Sequence, residues 1–150
     1  MRVCGWGEWR WLAAVILGVA TCAMVGCGDG RPKRVRAAGR VLIDGKPVEY
    51  GFVQVVPEGD RPATGKIGPG GAFRLTTYDE NDGVVPGRHR AAVIAVEPLG
   101  AASQKWHVPK KYGDSTTAGL EIEVNEPTDS LEINLTWDGG QPFVERFGQE

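Results

Sequence analysis

The body of this chain lacks cysteine. All three cysteines, Cys4, Cys22 and Cys27, lie within the first 27 residues of a 150-residue sequence. Residues 28–150 therefore contain no disulfide, no thiolate zinc site and no cysteine nucleophile. Histidine is nearly as scarce, with only His89 and His107 available for acid or base chemistry. The formal net charge of -2 gives no reason to expect a nucleic-acid partner.

The chain also lacks an apolar run long enough to span a membrane. The apolar stretch at residues 12–25 has about 14 residues, whereas a spanning helix needs about 20. Arg2 and Arg10 precede this stretch, and small residues end it. A positive start, a short apolar centre and a small-residue end are typical of a cleaved export signal. The sequence therefore predicts that residues 1–26 are a signal peptide and that the mature chain leaves the cytoplasm.

The end of this segment resembles the bacterial lipobox. The four residues are Met24, Val25, Gly26 and Cys27. The resemblance implies cleavage before Cys27, which then carries a diacylglycerol and usually a third acyl chain, such as palmitate, so that the protein stays on a membrane. Gly28 favours an outer-membrane lipoprotein that faces the periplasm or the cell surface. The alternatives are an ordinary secretory peptide with Cys27 left as a free thiol, and Cys22 as a weaker candidate for lipidation.

The mature chain divides into three predicted parts. Residues 27–33 are rich in glycine, proline and charge, and predict a flexible lipidated tether. Residues 34–137 are the size of one domain. Residues 138–150 form a tail without a period, although three of its apolar side chains could pack on a sheet edge, namely Phe143, Val144 and Phe147.

Seven short segments of residues 34–137 have the period of two that is typical of strands. Six of these segments are predicted to pair as hairpins, because turn residues lie between them, above all Asp44 and Gly45. These hairpins join 34–43 to 50–56, 63–67 to 72–77, and 120–124 to 131–137. The remaining segment, 88–96, predicts a central strand with both faces covered. Because no convincing amphipathic helix is present, the pattern predicts an all-β fold, a seven-stranded antiparallel Greek-key β-sandwich of the transthyretin or immunoglobulin type.

Three short motifs follow one another in an order that resembles a known family. They lie at residues 39–48, 70–75 and 85–89. The order of these motifs is similar to their order in carboxypeptidase regulatory-like and transthyretin-like domains. Within that group, the chain is similar to small bacterial lipoproteins. The lipoprotein motifs are matched at Thr77, Tyr78, Asn81, Asp82, Gly83, Pro86, Gly87, Pro109, Lys110, Lys111, Tyr112, Thr117, Gly119 and Leu120. The resemblance implies a structural, adhesive or accessory module, and His89 stands where the family pattern has tyrosine.

No pattern of a catalytic site accompanies these motifs. Ser103, His107 and Asp114 supply the residue types of a nucleophilic triad, but the chain has no Gly-x-Ser-x-Gly elbow. His89 is in phase with the apolar residues of its predicted strand, which favours a packed histidine. Hydroxyisourate hydrolase, an enzyme on a transthyretin-like frame, ends in Tyr-Arg-Gly-Ser, and residues 146–150 do not. The sequence therefore predicts no enzyme and no cofactor.

An acidic segment at residues 79–83 raises the question of a metal site. It contains four residues with oxygen ligands, Asp79, Glu80, Asn81 and Asp82. The spacing of an EF-hand loop is not met, because Gly83 stands where the third ligand belongs. We therefore favour a solvated turn over a calcium site.

Residues 97–119 are predicted to form one long connection, and long connections often carry function. Within them, side chains suited to stacking on sugar rings or holding anions lie at Trp106, His107, Lys110 and Tyr112. The alternative is that Trp106 and Tyr112 plug the open end of the sandwich while the lysines stay in water.

Two functional interpretations follow from these patterns. The first is a membrane-anchored lipoprotein of the cell envelope whose β-sandwich is a non-catalytic structural or protein-interaction module. The second is a carbohydrate- or peptide-binding module that uses the 97–119 loop. In both, the expected partners are the membrane, through the lipid on Cys27, and an envelope protein or a glycan.

Overall fold

The computed structural model describes residues 30–148, so the predicted signal peptide and Cys27 lie outside the described residues. Within residues 30–148 the chain forms eleven strands, β1 to β11. Their bounds are Ala37–Ile43, Lys46–Pro47, Phe52–Val56, Ala63–Lys66, Ala72–Arg74, Gly87–Ile94, Val96–Gly100, Ser103–Trp106, Leu120–Val124, Thr128–Leu135 and Phe143–Arg146. Short 3-10 turns lie at Pro69–Gly71 and Lys110–Gly113. The predicted all-β class is confirmed. None of the helical segments in this range is long and apolar enough to cross a membrane.

Two of the sheets pack face to face around one core. The first has the order β4-β3-β6-β9 and is antiparallel throughout. In the second, β1 is central, with β10 on one side and β2 and β5 on the other. Val53 and Val93 from the first sheet meet Val41 and Ile133 from the second in a single buried cluster. We call these two sheets the body, and their arrangement is consistent with a β-sandwich.

β1 has the alternation that its sequence predicts. The residues facing the core are Ala37, Gly39, Val41 and Ile43, whereas Arg36 and Arg40 are exposed. Gly39 is required here, because a Cβ at this position would lie 2.0 Å from the Leu131 carbonyl oxygen of β10. The close approach of the two backbones explains why the second sheet has a glycine at its centre.

The three predicted hairpins are wrong in their pairing. After the turn at Asp44 and Gly45 only β2 returns to β1, and β3 lies in the other sheet. β4 pairs with β3 while β5 pairs with β1, and the predicted partners 63–67 and 72–77 share the bridge between Thr64 and Thr76, two residues past the end of β5. β9 lies beside β6, and β10 runs parallel to β1, which also corrects the expectation of a wholly antiparallel fold. A period of two indicates which face of a strand is buried, but it does not indicate which strand lies alongside.

The segment predicted as a central strand is central but is not covered on both faces. β6 lies between β3 and β9. Its inner face is buried, whereas on its outer face Arg88, Arg90 and Ile94 are exposed and only Ala92 is buried. The outer face of this antiparallel sheet is solvated, which is common where no helix covers it.

A third sheet takes up the first part of the predicted long connection at residues 97–119, and residues 107–119 remain a connection to β9. β7 and β8 form a hairpin, and β11 from the predicted tail pairs with β8, which gives the order β11-β8-β7. The tail therefore does join a sheet edge through Phe143 and Val144. None of the side chains in these three strands is buried. We call this element the small sheet.

The small sheet and the chain entry at Val35 lie near opposite ends of β6. The chain enters the body at Val35, which bridges Val84 shortly before β6 begins. β6 then runs for eight residues, about 26 Å of extended chain, and leads directly into β7. The start of the body and the small sheet are therefore separated by the length of β6.

Candidate functional site

The four predicted binding residues do not form one site. Trp106 is the last residue of β8 and His107 follows it, whereas Lys110 and Tyr112 lie in the 3-10 turn Lys110–Gly113. Successive side chains of an extended chain point to opposite faces, so Trp106 and His107 diverge. The structure brings Trp106 and Lys110 together and places His107 and Tyr112 elsewhere.

Trp106 and Lys110 belong to a group of side chains on one face of the small sheet. The Trp106 ring stacks on Phe143, its direct cross-strand neighbour on β11, with ring centroids 6.3 Å apart. The Lys110 ammonium lies 5.1 Å from the centroid of the Trp106 ring, a cation-π distance. We call Gln104, Trp106, Lys110, Phe143 and Glu145 the aromatic cluster.

The Glu145 carboxylate joins the polar atoms of the aromatic cluster. It accepts hydrogen bonds from Gln104 Nε2 and Trp106 Nε1, both at 2.9 Å, and pairs with the Lys110 ammonium. The bond from Lys110, followed by those from Trp106 and Gln104, lowers the pKa of Glu145 to about 2. Glu145 therefore stays ionised at neutral pH and holds three side chains in one arrangement.

Sequence reasoning missed Gln104, Phe143 and Glu145 as members of this cluster. They face Trp106 only because β11 pairs with β8, two strands that lie about forty residues apart in the chain. The one signal in the sequence was the period of two within each short segment. It places Gln104 and Trp106 on one face of their segment, and Phe143 and Glu145 on one face of theirs. Two pairs in phase do not predict that the segments meet.

Tyr112 is part of the core. Its side chain is only 6% exposed. The Tyr112 hydroxyl donates to the Thr136 carbonyl at 3.4 Å and accepts from the Thr136 N–H at 3.2 Å. Tyr112 therefore closes the side of the body next to the end of β10, as the plug interpretation expects for this residue. Trp106, which is half-buried on the small sheet, is not such a plug.

His107 lies in an open cleft of about 550 Å³, which Tyr50 and Trp137 also line. Its Nε2 is 2.8 Å from a Glu97 carboxylate oxygen on β7. The Tyr50 and His107 ring centroids are 5.4 Å apart. These contacts fix the orientation of the imidazole between the body and the small sheet.

The residue types of a catalytic triad do not come together. His107 bonds to Glu97, and the Asp114 carboxylate accepts hydrogen bonds from Thr116 at 2.7 and 2.8 Å. His89 is 6% exposed, and its Nε2 lies 2.7 Å from the Val85 carbonyl oxygen. Because a carbonyl only accepts, His89 Nε2 is the donor, and the imidazole anchors the start of β6.

The acidic segment 79–83 is organised around Asp82. Its carboxylate accepts the backbone N–H groups of Thr77 at 2.7 Å and of Tyr78 and Asp79 at 3.1 Å. Arg34, at the start of the body, places its Nε 2.7 Å from the same carboxylate. Asp82 thus links Arg34, at the chain entry, to this turn. The turn is held by these hydrogen bonds, which the expected solvated turn did not include. Within residues 30–148, no group of three or more histidine, cysteine or acidic side chains is placed to hold a metal ion.

Comparison with known proteins gives no match to this chain. No family model, no curated protein and no solved structure matches it. Its function is therefore argued from its own contacts.

Proposed function

We propose that this chain is a membrane-anchored lipoprotein of the cell envelope, on the outer membrane, whose β-sandwich is a non-catalytic structural or protein-interaction module. The small sheet is the observation that supports an interaction function for the β-sandwich. Four of the seven large apolar side chains that are exposed in the described chain lie in or next to it, at Leu99, Phe143, Val144 and Phe147. Phe143 and Val144 point to opposite faces of β11, so these side chains lie on both sides of the small sheet, and their concentration on this one element favours a contact that involves the sheet as a whole.

The position of the small sheet supports this proposal. The lipid anchor that we propose at Cys27 precedes the chain entry at Val35, and the small sheet lies at the other end of β6. A partner that binds the small sheet therefore contacts the end of β6 opposite to the chain entry.

The proposal includes a finer description of the fold, a transthyretin-like Greek-key sandwich. Seven strands make up the body once the two-residue β2 is set aside: β1, β5 and β10 in one sheet, and β3, β4, β6 and β9 in the other. This number agrees with the resemblance to carboxypeptidase regulatory-like and transthyretin-like domains.

Lipidation is the first part of the proposal to test. The full chain expressed in a bacterial envelope is expected to yield a mature protein that begins at Cys27 and carries two or three acyl chains by mass spectrometry. Cys27→Ser should leave the membrane fraction, whereas the matched control Cys22→Ser should remain there. An unmodified N-terminus, or Cys27→Ser protein still in the membrane fraction, contradicts the anchor.

A second candidate function is glycan binding, and the aromatic cluster is the observation that favours it. The Trp106 and Phe143 rings lie beside the Glu145 carboxylate and the Gln104 amide. Aromatic faces flanked by hydrogen-bonding groups suit the apolar face and the hydroxyls of a sugar ring. This version of the site uses Trp106 and Lys110 and omits His107 and Tyr112.

Alanine replacement of Trp106 and Tyr112 separates a binding role from a core role. We expect Tyr112→Ala to lower the melting temperature by about 8 °C, because a buried ring and its hydrogen bonds are lost. Trp106→Ala should shift the melting temperature by no more than about 2 °C and abolish any signal on a glycan array. A Trp106→Ala protein that keeps its glycan signal contradicts the assignment of the glycan site to the aromatic cluster. An unchanged protein that gives no signal on the array contradicts the glycan candidate and leaves the protein-interaction module as the function.

A further inference from the structure

We propose that the outer edge of β11 accepts an extended strand of a partner polypeptide, which becomes the fourth strand of the small sheet. The partner strand alternates apolar and acidic residues. This inference rests on the proposed interaction function and names the kind of partner that the small sheet takes.

The outer edge of β11 carries unpaired backbone groups. Within residues 30–148, β11 pairs with β8 alone. The Phe147 N–H donates inward, to the Ala102 carbonyl at 2.8 Å. Because backbone groups alternate in direction along a strand, Val144 and Arg146 direct their N–H and C=O groups outward. Such a row of groups is a template for a further strand.

The edges at β7 and β10 are less suited to a further strand. β7 contains Pro98, which has no N–H, and its pairing with β8 shifts in register after that residue. Just past the end of β10, the Tyr112 hydroxyl already bonds both backbone groups of Thr136. β11 has neither a proline nor a register shift.

The side chains around β11 determine which strand fits. Val144 is 49% exposed and lies directly opposite Lys105 of β8, on the same face as Arg146. Neither Lys105 nor Arg146 makes an ion pair among residues 30–148. Lys105 already has Glu97 of β7 as its direct cross-strand neighbour, whereas Arg146, on the edge strand itself, has Ser103 opposite it. An acidic side chain of an added strand would therefore neutralise Arg146 at this face.

On the opposite face of β11, an apolar side chain of the added strand fits best. Phe143 is exposed there, and the neighbouring Glu145 is already neutralised by Lys110. An added strand therefore meets an aromatic ring on this face and, on the other, Arg146, which makes no ion pair among residues 30–148. A strand that alternates apolar and acidic residues satisfies both faces at once.

The test uses the full, acylated chain in detergent micelles and two labelled synthetic peptides. One peptide alternates valine and glutamate, and the other alternates valine and lysine, over seven residues. Fluorescence anisotropy should show that the glutamate peptide binds at least about tenfold more tightly than the lysine peptide. No binding of the glutamate peptide, or equal binding of the two, overturns the proposal.

Two sets of variants locate the bound strand. Val144→Pro removes an outward N–H and leaves the inward bonds of β11 in place, so it should weaken binding of the glutamate peptide at least about tenfold. Val144→Thr keeps the N–H and the strand preference, and should bind like the unchanged protein. Arg146→Glu should reverse the peptide preference. Full binding by Val144→Pro protein with an unchanged melting temperature overturns the assignment to this edge.

Sedimentation of the same samples separates a second copy from a foreign strand. A dimer that Val144→Pro abolishes, without peptide binding, would identify the occupant as another copy of this chain and overturn the proposal. Mass spectrometry of the same preparation reports acylation of Cys27. A failure of the proposed anchor is therefore distinguishable from a failure of strand addition.

Discussion

Replacing Ile133 with alanine is expected to lower the free energy of unfolding by about 2 to 5 kcal/mol. Ile133 lies in β10, is 3% exposed and sits beside Val41 of β1. Alanine removes its apolar contacts and leaves a cavity between the two sheets of the body. Since a domain of this size is stable by only about 5 to 15 kcal/mol, the variant loses a large share of its stability.

Urea denaturation followed by far-ultraviolet circular dichroism measures this loss. Asn134→Ala is the matched control, because Asn134 is the next residue of the same strand and is exposed. Its effect should stay within about 0.5 kcal/mol. Equal losses in the two variants would contradict the assignment of faces on β10, and a predominantly helical spectrum would contradict the all-β fold.

Asp82→Asn is expected to lower the free energy of unfolding by about 3 kcal/mol at neutral pH. The carboxylate bonds three backbone N–H groups and Arg34, and it is 14% exposed. Asparagine has no charge and only one acceptor oxygen, where aspartate has two. The backbone N–H groups bonded to the replaced oxygen and the Arg34 guanidinium therefore lose their partner. Asp79→Asn is the control, because Asp79 lies in the same turn and is exposed.

The loss from Asp82→Asn should depend on pH in a defined direction. Burial raises the pKa of Asp82, but the N–H groups of Thr77, Asp79 and Tyr78, together with Arg34, lower it further, so the folded pKa lies below the ordinary value of 3.8. The stabilisation is therefore complete above that value and is lost as pH falls through the folded pKa. The difference between the unchanged protein and the variant should narrow from pH 6 to pH 2. A constant difference over this range would contradict the role of the Asp82 charge.

Local features were predictable because they depend on near neighbours. The alternation of β1 was read correctly, since the burial of Ala37, Val41 and Ile43 follows from a period of two. His89 was correctly expected to be packed, because its phase along β6 matches that of the apolar residues. The resemblance to a lipoprotein family and the lipidation of Cys27 stay predictions.

The candidate site was only partly predictable. Trp106 and Lys110 were identified as binding candidates from composition, but the cluster they form depends on Phe143 and Glu145. Tyr112 was grouped with them because it is near in sequence, yet its ring belongs to the core. Proximity along a chain indicates which residues share a segment, and the pairing of β8 with β11 decides which of them share a face.

By itself the sequence determined the all-β class, the absence of thiol chemistry from the body and the inward face of β1, because composition and period do not depend on distant residues. Only the tertiary structure decided the parallel pairing of β1 with β10, the tie between Arg34 and Asp82, and the small sheet with its free edge at β11. Each of these joins segments that are far apart in the chain. Such contacts are chosen by the packing of a whole core, and the period of any one strand is compatible with several partners.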